Sequence, residues 1–472
     1  MKVALAFAVN ALFNFIIGLL VAKFLGPEGF GRFALALAVA VVIQIACFDW
    51  IRLAATRFAS TRSGQIGTDA RATLSASFAT VTLAVAILGL GALLFRLDLS
   101  LSPELLGLAL AMAVVNGFFD YQQALVRARF QDGLYARLLL TKCLLAVVLM
   151  VGGAWLTGSP VVALAGACAA MALPLASAHR SLREGGAQRE PARSGLALDY
   201  LRYAKPVVAA NLLYLALALL NRSLVAERHG FAEAGRFSLA FDLGQRIIQS
   251  LGIMLDVVLF QLAVRADVLH GGAVARAQVA RNMGLAFALL LPACVGLWLV
   301  LPSLEQLVVP MEFRGHFERY FMLLLPGFLC FGLSAYAIAP MFQIARRTGP
   351  LIVAALAACA GDLVLLALLP PVTESIILAQ TGAMACGLLA LFLFALAAPA
   401  HWPAARDMVT PLLGATLMAA ALAPLRGWPP GLFTLLLQLL AGLCIYGAVL
   451  LAFDALGLRS LARARWRRGG KT

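Results

Sequence analysis

The stretch that decides the fold is residues 20–36, LVAKFLGPEGFGRFALA, because it is written a second time at residues 224–240, LVAERHGFAEAGRFSLA. Aligned without a gap at a constant offset of 204, nine of the 17 positions are identical. Tight turns account for glycine and proline in a loop, but they do not account for nine identities at one offset. The identities indicate an internal repeat, and each copy lies between two long apolar runs.

The composition places both copies in a membrane protein. The chain has 472 residues, of which 62% are hydrophobic and 12% are charged. Soluble domains have about 45–50% apolar and about 25% charged residues. Runs of about 20 apolar residues recur along the chain, and each is long enough to cross the hydrocarbon layer as a helix. These features exclude a water-soluble fold.

Hydropathy predicts an all-α polytopic membrane protein with about 14 transmembrane helices. The first run follows Lys2, as in a signal peptide, but Asn10 and Asn14 interrupt it and the repeat aligns it with an internal span. We therefore retain it as a helix. The predicted spans, numbered one to fourteen, are 3–22, 33–54, 73–95, 105–126, 138–157, 161–178, 207–226, 237–264, 283–301, 319–342, 350–369, 375–398, 409–426 and 431–453.

The arginines and lysines predict the orientation. The net charge is +15, which in a soluble protein would suggest nucleic acid, but cytoplasmic loops of membrane proteins collect Lys and Arg. If the N-terminus is placed in the cytoplasm, 27 of the 37 basic residues fall on the cytoplasmic side and eight on the outer side of the membrane. The other two, Arg222 and Arg246, lie inside spans. We expect both termini in the cytoplasm and no nucleic-acid partner.

The duplicated loop joins span one to span two and span seven to span eight. An even number of helices per unit gives parallel repeats related by an axis along the membrane normal. The sequence therefore predicts a parallel repeat of two six-helix lobes, with two further helices after them. We assign residues 1–178 to the N-terminal lobe, 179–206 to a cytoplasmic linker, 207–398 to the C-terminal lobe, and 399–472 to spans thirteen and fourteen with a basic tail.

Residues 24–58, FLGPEGFGRFALALAVAVVIQIACFDWIRLAATRF, resemble the opening of the oligosaccharide-flippase type of polysaccharide biosynthesis protein. That family belongs to the multidrug/oligosaccharidyl-lipid/polysaccharide exporter superfamily. The resemblance implies a non-enzymatic, multi-pass protein of the bacterial inner membrane. Such a flippase moves undecaprenyl-diphosphate-linked oligosaccharide units for lipopolysaccharide or exopolysaccharide synthesis. Its partners would be the lipid-linked substrate, membrane lipids and, in addition, polysaccharide polymerase and export proteins.

Polar residues inside the spans are the candidate site, because each ionisable group at a helix centre costs a few kcal/mol. At 100° per residue, span eight carries six polar residues within an arc of about 100°, and spans four and seven carry shorter stripes. The residues are Ser238, Asp242, Gln245, Arg246, Gln249 and Asp256 in span eight; Asn116, Asp120, Gln123 and Arg127 in span four; Asn211, Tyr214, Asn221 and Arg222 in span seven; and Asn10 and Asn14 in span one.

These stripes predict a hydrated substrate cleft between the lobes. We expect Arg246, Asp242, Gln245, Gln249, Arg222, Asn211, Tyr214, Asn10, Asn14 and Asp120 to line it. Arginine suits a diphosphate because its fork can bind two oxygens. The alternatives are that Arg246 only pairs with Asp242 one turn away, and that Arg222 reaches the outer surface. Arg52 and Lys142 are assigned to the membrane interface. Asp362 and Asp256 are candidate ion-coupling acids, and a packing role for Asp362 is equally open.

Several kinds of chemistry have no sequence support. No G-x-x-x-x-G-K-[ST], H-E-x-x-H or G-x-S-x-G motif occurs, and the histidines and cysteines show no metal-ligand spacing. The sequence therefore predicts no cofactor and no metal, and transport driven by an ion gradient, the membrane potential or the substrate's own gradient. The alternatives to the flippase are a multidrug or small-molecule antiporter of the same architecture and, less favoured, a membrane polysaccharide polymerase.

Overall fold

A computed structural model of the chain describes residues 2–58, 68–94, 101–129, 131–182, 194–255, 259, 261–345, 347–398 and 401–455. In that part of the chain the regular secondary structure is helical. The α-helices are α1 (Lys2–Phe58), α2 (Thr68–Leu94), α3 (Pro103–Ala128), α4 (Asp132–Leu145), α5 (Gly152–Thr157), α6 (Pro160–Ser177), α7 (His179–Leu182), α8 (Ser194–His229), α9 (Phe231–Leu255), α10 (Gln261–His270), α11 (Gly272–Val308), α12 (His316–Gly332), α13 (Ala339–Ile344), α14 (Gly349–Leu368), α15 (Thr373–Ala397), α16 (Ala405–Leu422) and α17 (Leu432–Ala452).

The predicted all-α polytopic membrane fold is confirmed. Among the described residues, 12 helical stretches are long and apolar enough to cross a membrane. The first of them, Asn10–Thr56, contains residues 10–22 of predicted span one and all of predicted span two. π-Helical turns at Ala146–Val151 and Leu333–Ile338 join α4 to α5 and α12 to α13. Predicted span eight, residues 237–264, falls on α9 and the start of α10, and residues 256–258 and 260 of that span lie outside the described residues.

The duplicated loop is a sharp helix break rather than an extended turn. Gly26 interrupts α1 with a φ of 66°, a left-handed conformation that glycine adopts without steric cost. The next residue, Pro27, has no N–H to continue the helical hydrogen bonding. At the same position of the second copy, Gly230 has a φ of 87° between α8 and α9. One of the nine identical positions, Gly26 and its equivalent Gly230, therefore makes the break in both copies.

By its internal contacts the chain divides into two units, Met1–Leu239 and Ala240–Thr472. In unit 1, α1, α2, α3 and α8 share a core in which the Phe48 and Phe78 rings lie 4.8 Å apart. Gly117 of α3 permits this packing, because a Cβ there would lie 2.8 Å from Phe48 Cγ. Small residues let membrane helices approach in this way. Tyr200 of α8 joins the same core, so this part of the predicted linker is helical; residues 183–193 lie outside the described residues.

The two copies of the loop contact each other within unit 1, and the contact is reciprocal. A Cβ on Gly31 would overlap the carbonyl oxygen of Phe231, and a Cβ on Gly235 would overlap the carbonyl oxygen of Pro27. These partners are themselves equivalent, since 27 and 231 differ by the repeat offset of 204. The Arg32 guanidinium also lies 5.1 Å from the centroid of the Phe231 ring. Both copies of the loop therefore lie at the same end of unit 1.

Unit 2 packs its last two long helices against α11. Leu299 of α11 meets Met418 and Leu422 of α16 and Tyr446 of α17. The Tyr446 hydroxyl donates a hydrogen bond of 2.5 Å to the carbonyl oxygen of Ala288. The opposite faces of α16 and α17 are apolar and exposed, which suits contact with lipid. The exposed side chains there include Leu412, Leu417, Leu436, Leu440 and Leu443.

Candidate functional site

In unit 1 an amide links α1 to α3 through two hydrogen bonds. Gln44 is 5% exposed; its Nε2 donates to Asp120 Oδ2 at 2.9 Å, and its Oε1 accepts from Asn116 Nδ2 at 2.8 Å. Asn116 and Asp120 are four residues apart, so one face of α3 presents both to α1. This geometry uses two residues of the predicted stripe of span four. It also orients the Asp120 carboxylate, a candidate substrate contact.

Next to this amide link lies an ion pair of unequal exposure. Arg52 Nε donates to Asp49 Oδ1 at 2.5 Å, and the two residues are three apart on α1. The Asp49 side chain is 1% exposed and the Arg52 side chain 38% exposed. A buried carboxylate is costly without a partner, and Arg52 is the partner of Asp49 in this structure. Arg52 is the residue predicted at the membrane interface, and Asp49 is not among the predicted site residues.

A lysine from α4 completes the cluster. Lys142 lies ten residues, about 15 Å, from the start of α4. Its Nζ is 5.2 Å from the centroid of the Phe119 ring, and Asp120 lies within electrostatic range of Lys142, Arg52 and Asp49. Two acidic and two basic residues give this cluster a formal net charge of zero. We call Gln44, Asp49, Arg52, Asn116, Asp120 and Lys142 the unit 1 polar cluster.

The other predicted site residues of unit 1 lie on α1 and α8. Asn10 is half-buried, and its Oδ1 accepts a hydrogen bond of 3.3 Å from Cys143 Sγ, next to Lys142. Asn14 is also half-buried, one turn further along α1. On α8, Arg222 is 7% exposed and its neighbour Asn221 is 0% exposed. The remaining two predicted residues of α8 are less enclosed, since Asn211 is exposed and Tyr214 half-buried.

In unit 2 the predicted polar stripe of α9 is present on a half-buried face. Asp242, Gln245, Arg246 and Gln249 are all half-buried, and Ser250 Oγ donates to the carbonyl oxygen of Arg246 at 2.7 Å. Spacings of three and four residues put the four side chains on one side of the helix. Asp256, the candidate ion-coupling acid at the end of this stripe, lies outside the described residues.

Two further buried polar side chains of unit 2 lie on α14 and α15. Asp362 is 1% exposed, and Cys359, three residues earlier on α14, lies within its electrostatic range. Gln380 of α15 is also 1% exposed, and it lines a small cavity with Gln245 and Phe328. Among the described residues no group of three His, Cys, Asp or Glu side chains could hold a metal ion.

The unit 1 polar cluster was only partly predictable. Periodicity identified the Asn116–Asp120 face of span four, because spacing along one helix is visible in the sequence. It did not show that Gln44 and Asp49 of span two face the same point, since spacing carries no information about neighbouring helices. An i,i+3 Asp–Arg pair inside an apolar span was the available signal, because an intramembrane charge needs a partner.

With this geometry established, comparison with solved structures shows the fold. The structure of the lipid II flippase MurJ in an inward closed conformation superposes with a TM-score of 0.70 at 14% identity, covering 98% of this chain and 99% of that chain. The chain has the MurJ fold. An inward-facing multidrug resistance MATE family transporter of the MOP superfamily gives 0.62 at 13% identity, covering 88% of this chain and 96% of that one. No family model and no curated protein matches the sequence.

Proposed function

We propose that the protein is a flippase that moves undecaprenyl-diphosphate-linked oligosaccharide units across the bacterial inner membrane by alternating access. The observation that carries this proposal is the extent of the match to the lipid II flippase. It covers 98% of the chain, too much to omit either α16 or α17, whereas the MATE match leaves 12% of the chain uncovered. A lipid-linked substrate also gives a use to the exposed apolar faces of α16 and α17.

The polar residues support a substrate that combines sugars with phosphates. Amide and carboxylate groups of the unit 1 polar cluster can exchange hydrogen bonds with sugar hydroxyls, and the cluster carries no net charge to repel either sign. Arg246 supplies the cation for the diphosphate in this proposal. We assign the sugar contacts to Asn10, Asn14, Asp120, Asn211 and Tyr214, and further polar contacts to Arg222, Asp242, Gln245 and Gln249. Asp362 and Asp256 are proposed ion-coupling acids.

The proposal is tested with the full chain reconstituted in vesicles. A fluorescent oligosaccharide on an undecaprenyl diphosphate carrier is placed in both leaflets, and a membrane-impermeant quencher reports how fast the inner-leaflet pool appears outside. We expect the protein to move this lipid between leaflets. We expect it not to move a control carrier lipid that lacks the diphosphate and the sugar. Vesicles that hold the protein but move the labelled lipid no faster than empty vesicles would refute the flippase.

The second candidate function is a multidrug or small-molecule antiporter. The observation in its favour is that the match to the MATE transporter covers 88% of the chain. The same vesicles distinguish the two functions. An antiporter would exchange a fluorescent organic cation for an imposed proton or sodium gradient, and it would leave the lipid-linked oligosaccharide in its original leaflet. A flippase would give the opposite pair of results.

Arg246 gives the most direct prediction for diphosphate binding. Arg246→Lys should retain part of the lipid-linked transport and Arg246→Ala little, because lysine keeps the charge but loses the two-pronged fork. Loss of a charged hydrogen bond to substrate corresponds to about 1.5–3 kcal/mol of binding. The measurement is initial flipping rate against substrate concentration at matched protein content.

The control for this prediction is the double substitution Asp242→Asn with Arg246→Gln. If Arg246 only neutralises Asp242 one turn away, the double variant recovers much of the transport, since neither charge is then left alone. That recovery would remove Arg246 from the substrate site. Continued loss in the double variant supports its contact with the diphosphate.

The last two helices give a separate prediction. Ending the chain after Trp402 removes α16 and α17, and we expect it to impair movement of the lipid-linked oligosaccharide while the remaining helices still insert. Because Arg426 of this segment pairs with Glu318 at 2.6 Å, Glu318→Gln is included in the truncated protein so that no carboxylate is left unpaired. Flipping assays and membrane abundance are measured together. Full transport by the truncated protein would exclude a role in handling the lipid.

A further inference from the structure

In unit 1 an open apolar groove lies between α2, α3 and the end of α6. It has a volume of about 450 Å³, and its walls include Phe78, Phe118 and Leu175. Two basic side chains lie at one end: Arg71, in the first turn of α2, and His179, two residues after α6. Arg71 Nη2 donates to the carbonyl oxygen of Leu182 at 3.1 Å, which holds the guanidinium at the groove.

Unit 2 has a groove of nearly the same size, about 440 Å³, with the same kinds of side chain. Its apolar walls include Phe342 and Phe394, and its basic residues are Arg276, Arg347 and His401. Arg276 lies near the start of α11, Arg347 follows α13, and His401 follows α15. The three basic side chains are exposed.

The two grooves occupy equivalent places in the repeat. Each lies at the start of the third predicted span of its lobe, beside the fourth, and at the end of the sixth. Each has an arginine in the first two turns of the helix that contains the third span, α2 or α11, and a histidine shortly after the sixth span. All of these helix ends fall on the side that the Lys and Arg distribution predicts to be cytoplasmic. A feature present in both copies is less easily ascribed to chance packing than one present in a single copy.

We propose that each groove binds one anionic phospholipid of the cytoplasmic leaflet, with an acyl chain in the apolar part and the phosphate on the arginine and histidine. Arginine can bind two phosphate oxygens at once. A volume above 400 Å³ is within the range of small-molecule sites, and basic pockets between membrane helices on the cytoplasmic side bind anionic headgroups.

This inference goes beyond the proposed function and does not depend on it. A transported lipid-linked oligosaccharide needs one path across the membrane, whereas these grooves are two and each is built within a single unit. Two equivalent sites, one in each repeat, suit a lipid that is abundant in the bilayer. Such a lipid would anchor each repeat at the membrane surface. The lipid carrier of the substrate is the competing occupant.

Native mass spectrometry of the full chain in detergent tests the proposal, with phosphatidylglycerol or phosphatidylethanolamine of identical acyl chains added in increasing amounts. We expect two phosphatidylglycerol molecules to bind at concentrations where phosphatidylethanolamine does not. Arg276→Ala with Arg347→Ala should weaken one site by about tenfold or more, because two of its three basic side chains are then missing. Arg265→Ala with Arg281→Ala is the matched control, since both are exposed arginines of unit 2 outside the groove.

Two further variants test the apolar part while keeping every charge. Ala176→Trp and Ala397→Trp place an indole in the grooves of unit 1 and unit 2, and each should remove one bound phosphatidylglycerol. Equal binding of the two phospholipids, binding unchanged by the tryptophans, or an equal loss in the Arg265/Arg281 control would overturn the proposal. So would undecaprenyl phosphate displacing phosphatidylglycerol from both sites at lower concentration, which would assign the grooves to the carrier. None of these outcomes depends on whether the protein flips oligosaccharides.

Discussion

Arg52→Gln should lower the free energy of unfolding by about 3–5 kcal/mol, the typical result of leaving a buried charge without its partner. The carboxylate that remains, Asp49, has a side chain only 1% exposed and cannot be hydrated in place. Asp49→Asn should cost much less, because the Arg52 side chain is 38% exposed and its guanidinium can bind water instead. The measurement is unfolding in mixed micelles with increasing denaturing detergent.

The double substitution Asp49→Asn with Arg52→Gln is the decisive control for this pair. It removes both charges of the pair, so Asp49 no longer leaves a buried charge without its partner, and we expect it to recover most of the stability lost in Arg52→Gln. Additive losses of stability would mean that the two side chains contribute independently. Equal losses in the two single variants would contradict the argument that Asp49, the more buried partner, depends more on the pair than Arg52 does. Transport by the stable double variant then reports whether the pair also contacts substrate, a question that stability alone leaves open.

Gly31→Leu should have the second large effect, with the helix break intact but the contact between the two loop copies lost. Even a Cβ at residue 31 would overlap the carbonyl oxygen of Phe231, so the start of α9 must move away from α1. Overpacking of this kind costs about 1–3 kcal/mol, and a longer side chain costs more than alanine. We expect a lower melting temperature and loss of transport for Gly31→Leu, and smaller losses for Gly31→Ala and Gly235→Ala.

Gly296→Ala serves as the control for these glycine variants. Gly296 lies inside α11, and a Cβ there would meet no atom within 4 Å. Alanine favours a helix by about 0.5–1 kcal/mol relative to glycine, so this variant should be as stable as the original chain or more so. A stable, fully active Gly31→Leu protein would show that the reciprocal contact is not needed for either folding or transport.

The sequence predicted the positions of the helices better than their contacts. Runs of apolar residues fixed the spans, because length and hydropathy decide whether a helix can cross the membrane. The same hydropathy could not separate the helical break at Gly26 from a longer turn, since both need glycine and proline. Polar stripes on α3 and α9 were visible as periodic patterns. The meeting of Gln44 with Asp120 was not, because it depends on how α1 packs on α3.

Arg52 and Lys142 illustrate the same limit within the candidate site. Each occurs singly in its span, and a single basic residue in an apolar run is most simply explained by an interfacial position. The interfacial position of both stays a prediction, and tertiary packing adds what hydropathy could not show: both are electrostatic neighbours of Asp120. A sequence shows which helix carries a charge and on which face, but the partner of that charge comes from another helix.

The reciprocal glycine contact has a consequence for how the two copies of the loop can diverge. The atom that faces each glycine is a main-chain carbonyl oxygen of the other copy, and every residue type at positions 27 and 231 supplies that same oxygen. No mutation in one copy can therefore make room for a side chain in the other. Related chains should retain glycine at positions 31 and 235 independently of each other, with no compensating pairs and hence no covariation between two positions that are in direct contact.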